Sequence, residues 1–68
     1  MDVGRMEQSA LESGAATADF GRSSVTVTDT GAWRFSNHCT GRERRISREK
    51  AQTIMVDAAL KGLPVRIC

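Results

Sequence analysis

Arg42, Arg44, Arg45, Arg48 and Lys50 fall within ten consecutive residues, GRERRISREK, and gather half of the ten Lys and Arg side chains of the chain. A guanidinium is a planar fork of donors that pairs two-on-two with a carboxylate or a phosphate, so a run of them suits an anionic partner. The run leads directly into AQTIMVDAALKGLP, which has a helical pattern. Cations at the start of a helix oppose its dipole, so helix stability does not account for them. Contact with an acidic protein surface, or with the phosphates of DNA or RNA, does. Glu43 and Glu49 stand among them and neutralise part of the field.

His38 and Cys39 place a base next to a nucleophile. Catalysis by such a pair needs the base within hydrogen-bond reach and held by a third group. Neighbours on extended chain point to opposite faces. The expectation is therefore a small buried Cys39 beside an exposed His38, with no joint chemistry. Cys68 adds one more thiol, and two cysteines supply neither a disulfide framework nor a zinc ligand set. The six glycines are scattered, with no GxGxxG or GxxxxGKS spacing for a phosphate loop. No catalytic residue, metal site, cofactor or small-molecule substrate is expected, and so short a chain has little volume for an enclosed pocket.

Sixty-eight residues fit one small domain, whose core supplies about 3–5 kcal/mol of net stability. The net charge of +2 hides a split: residues 1–30 hold two cations and five anions, and residues 31–68 hold eight cations and three anions. An acidic arm on a basic body is the simplest arrangement with that asymmetry. Without a signal-like leader or a long apolar run, the expected setting is cytoplasmic, with free thiols and no membrane contact.

The elements that must position these groups can be read in order. Residues 1–23, rich in Gly, Ala and Ser, are expected to form a flexible leader with Phe20 as its one large anchor. Residues 24–68 are expected to form a single small α+β domain. Val25 and Val27 alternate with hydroxyl residues as in a half-buried strand, and Trp33 and Phe35 do the same in AWRFS. A three-residue loop, Asp29-Thr30-Gly31, sets Val27 opposite Trp33 and Val25 opposite Phe35, with Gly31 at the left-handed position. RERRI extends the sheet if it forms a third strand at 42–46. Ser47 is the expected N-cap of a helix over 48–61, Glu49 suits its first turn, and Gly62 with Pro64 ends it. PVRIC reads as a last short strand. The fold class is thus a two-layer α+β domain: an antiparallel hairpin, or three strands, packed on one C-terminal helix in ββ(β)αβ order.

On a helical wheel Ala51, Ile54, Met55, Ala58 and Ala59 share an arc that would roof the Val25/Val27/Trp33/Phe35 wall. Val56 and Leu60 lie outside it, an apolar surplus fit for a partner or for a homodimer through the helix, unless the terminal strand, Leu11 or Phe20 folds over them. The polar side of the hairpin (Ser24, Thr26, Thr28, Arg34, Ser36 and His38) is the surface that would meet a nucleic acid. The interspersed glutamates and apolar surplus favour a non-enzymatic protein-binding regulator or inhibitor, of the small kind phages and plasmids encode, docking its arginines on an acidic partner surface. The alternative is a DNA- or RNA-binding regulator with the same arginines on phosphates.

Overall fold

The computed structural model of the chain describes residues 3–62 and the backbone of residues 66–67. The elements run α1 (Val3–Ser13), β1 (Ala15–Asp19), β2 (Ser23–Thr28), β3 (Trp33–Asn37), β4 (Arg42–Ile46), α2 (Arg48–Leu60) and β5 (Arg66–Ile67). Strands β1 to β4 form an antiparallel meander, and β5 joins antiparallel to β1, giving the sheet order β4-β3-β2-β1-β5. This is a small α+β domain, and the strand that the sequence left open at 42–46 forms, as β4.

The β2–β3 hairpin has the predicted register, Val27 opposite Trp33 and Val25 opposite Phe35. Gly31 takes φ 82°, a conformation in which a side chain would be strained. Its N–H donates to Thr28 O at 3.0 Å, and Thr28 N–H donates to Ala32 O at 3.1 Å. Helix α2 starts where predicted: the Ser47 hydroxyl accepts from Lys50 N–H at 3.1 Å, and Glu49 lies in the first turn. Its last turn closes through Gly62, whose N–H donates to Ala59 O at 3.1 Å. Pro64, Val65 and Cys68 lie outside the described residues; of the expected last strand, residues 66–67 pair with Asp19 and Ala18.

Residues 3–19, expected within a flexible leader, instead form α1 and β1. The physical reason lies in small residues at regular spacing. Val3, Met6 and Ala10 fall on one face of α1 and are buried, as are Ala16 and Ala18 on β1. A helix this short is marginal alone in water, so its stability comes from docking. Gly14, at φ 94°, makes the reversal into β1, with its N–H donating to Ala10 O at 2.7 Å. Phe20 then enters the core.

Both helices cover one face of the sheet. Helix α1 lies over β1 and β2, while α2 lies over β3. Val25, Val27, Trp33, Met55 and Ala58 are buried together, with Phe35, Ile46 and Ile54 half-buried against them. Ala59, at the margin of the predicted arc, is exposed. The wall and roof are thus as expected, except that α1 shares the roofing with α2. Buried Trp33 has its Nε1–H without an acceptor among the described residues.

Candidate functional site

Strand pleating divides the arginine run. In β4, residues 42, 44 and 46 turn to the helix-covered side of the sheet, while 43 and 45 turn to the open side. All but Ile46 are exposed. At this end of the sheet a shallow recess is bounded by Phe35, Asn37, Thr40, Arg42, Glu43 and Arg44. The Arg44 guanidinium carbon sits 5.8 Å from the centroid of the Phe35 ring, within cation–π range.

On the open side Arg45 lies directly opposite Arg34 of β3. The row continues through Thr26 to Thr17, whose hydroxyl oxygens are 3.1 Å apart. Like charges directly across a ladder destabilise a sheet. Neither arginine is in a salt bridge with a described residue. The next row runs Glu43, Ser36, Ser24 and Asp19, and continues to residue 66 of β5. Glu43 borders a small depression with Arg34, Arg44 and Arg45.

The remaining cations of the run are placed elsewhere. Arg48 Nε donates to Glu7 Oε1 at 3.0 Å and ties the start of α2 to α1. Lys50 is exposed in the first turn of α2. The five cations therefore do not share one face. Arg42, Arg44 and Arg45 flank the β4 edge, joined by Arg34 from outside the run, while Arg48 and Lys50 belong to the helix entrance. Arg34 could have been grouped with Arg45 from the sequence only by fixing the β3–β4 register. The Asn37–Gly41 loop does this, with Asn37 Oδ1 accepting from Cys39 N–H at 2.9 Å and Thr40 N–H at 3.3 Å.

That loop also corrects the expectation for Cys39. Strand β3 ends at Asn37, so Cys39 does not continue the Trp33/Phe35 face and is exposed. His38 is exposed as expected, and both ring nitrogens are engaged: Nδ1 lies 3.0 Å from Gly21 O and Nε2 lies 3.2 Å from Ser24 Oγ. A carbonyl only accepts, so in the neutral ring Nδ1 carries the hydrogen and Nε2 accepts from the Ser24 hydroxyl. The imidazole thereby clamps the β1–β2 turn, a structural duty.

Val56 and Leu60 remain uncovered on α2, 51% and 82% exposed, beside Glu49, Gln52, Thr53 and Asp57. Of the proposed covers, Phe20 is in the core and Leu11 is itself exposed. No group of three His, Cys, Asp or Glu side chains that could hold a metal ion gathers among the described residues. No helix among them is long and apolar enough to cross a membrane. Comparison with protein-family models, curated proteins and solved structures finds no match to the chain.

Proposed function

We propose that this protein is a non-enzymatic binding protein, a regulator or inhibitor of the small phage- or plasmid-encoded kind. It docks Arg34, Arg42, Arg44 and Arg45 on an acidic surface of a partner protein. The observation that carries the proposal is the Arg34/Arg45 pair, two like charges set directly opposite on an open sheet face, neither in a salt bridge with a described residue although Glu43 borders the same depression. Folding alone gives no reason to keep that pair, whereas an incoming carboxylate turns the repulsion into a binding contribution. Val56 and Leu60 offer a second contact, for the same partner or for a twin subunit.

Nucleic acid is the second reading, favoured by the Thr17, Thr26 and Thr28 hydroxyls that share the open side with Arg34 and Arg45. It is the weaker one. A phosphate backbone presents a single sign of charge along a line. Here the arginines flank both sides of β4, and the open face also carries Asp19 and Glu43.

The test is affinity capture from the native host with and without nuclease, using the wild type and the Arg34→Glu/Arg45→Glu variant. The expected result is a partner protein that survives nuclease treatment and is lost with the variant. Capture that disappears on nuclease treatment, or that the variant leaves unchanged, contradicts the proposal.

A further inference from the structure

Among the described residues strand β4 forms one edge of the sheet, paired with β3. In an antiparallel ladder alternate residues direct their N–H and C=O groups away from the neighbouring strand, so one side of β4 is open to another chain. Native sheets blunt such edges with proline, bulges, a covering helix or charge. β4 has no proline, and its register with β3 runs without a bulge from Trp33/Ile46 to Asn37/Arg42. The helices lie over β1, β2 and β3 rather than β4. At the loop end, Arg42 N–H donates to Thr40 Oγ1 at 3.3 Å. Charge is therefore the edge's principal guard, and it is mostly of one sign: Arg42, Arg44 and Arg45 against Glu43.

A guard of that kind is selective. Antiparallel pairing of two copies of β4 in full register would set Arg44 against Arg44 and Glu43 against Arg45 on either side of it, and would bring together two strands that each carry three arginines and one glutamate, a net repulsion. A strand bearing carboxylates meets the opposite situation. We infer that β4 accepts an extended acidic segment of a partner protein as an additional strand of the sheet. Its alternate carboxylates meet Arg42 and Arg44 beside Phe35 on one side, or Arg45 and Arg34 on the other. Backbone pairing would supply affinity, and the arginines on the two sides would select acidic sequences. This inference rests on the proposed docking of the same arginines and specifies how the partner is held.

The probe is a short N-acetylated peptide alternating Glu and Thr, followed by fluorescence anisotropy and by amide exchange across β4. Two further peptides carry N-methyl groups on one or the other alternate set of amides, and a third has Gln in place of Glu. The unmodified peptide is expected to bind and to slow exchange of β4 amides. One N-methylated set should weaken binding by at least about tenfold while the other leaves it nearly unchanged, because only one set faces β4. Replacing Glu by Gln, or using Arg42→Glu/Arg44→Glu protein with an unaltered circular dichroism spectrum, should also weaken binding about tenfold.

Equal binding of both N-methylated peptides overturns strand addition while leaving acidic docking intact. Absence of peptide binding overturns it too, and the capture experiment then decides the docking proposal by itself. A dimer whose protected amides map to β4 assigns the edge to a second copy and contradicts the inference. An oligonucleotide that displaces the peptide from β4 likewise contradicts it.

Discussion

Strands β2 and β4 occupy the same sheet and obey the same pleat, yet their residues meet opposite surroundings. On β2, which pairs on both sides and lies under the helices, Ser24, Val25 and Val27 are buried. On β4, which pairs on one side, Arg42 to Arg45 are exposed and Ile46 alone packs on the core. The β2 sequence is explained by folding: β-branched residues turn inward and hydroxyls turn outward. Much of the β4 sequence is not. A strand that needed only to finish the sheet would gain nothing from Arg45 opposite Arg34. On the proposed reading, stability and recognition are separated by two strand spacings, about 10 Å.

The contrast can be broken most severely at α1. Met6 is fully buried between α1 and the sheet, and an unpaired carboxylate there would cost several kcal/mol, comparable to the whole stability of a domain this small. Met6→Asp is expected to abolish the folded state, read as loss of cooperative urea unfolding. A cooperative transition at the wild-type midpoint would mean that residues 3–13 are a detachable leader after all.

Truncation at Trp33 is expected to approach that loss, and a conservative change there to fall well short of it. Trp33→Ala should cost about 3–5 kcal/mol by removing a buried indole. Trp33→Phe should cost distinctly less, because the lost Nε1–H has no acceptor among the described residues and removing an unpaired buried donor offsets part of the lost packing. Equal losses for the two variants in urea melts would show that the N–H is satisfied.

The sequence made the middle of the molecule legible and its beginning obscure, for one physical reason. β2, β3 and α2 are announced by residues with strong local preferences: valines alternating with hydroxyls, Gly31 at a left-handed turn, Ser47 and Gly62 at the helix ends. In α1 and β1 the buried positions are largely alanines, Ala10, Ala16 and Ala18, which contribute little hydrophobic contrast and whose role appears only when other elements pack against them. The spacing of Val3, Met6 and Ala10 was the available signal. The concentration of cations at 42–50 was legible as well, but not its division. That division follows from treating 42–46 as a strand, and the Arg34/Arg45 juxtaposition follows from a loop length that composition does not reveal.

The central claim is that the arginines of the β3–β4 corner serve contact and not folding. Its most direct measurement is the urea unfolding free energy of Arg34→Thr/Arg45→Thr against the wild type at low ionic strength. Relief of the cross-strand repulsion predicts a variant as stable as the wild type or more stable by a few tenths of a kcal/mol. A loss of about 1 kcal/mol or more would mean that these side chains hold the sheet together, and the separation of stability from recognition would fail.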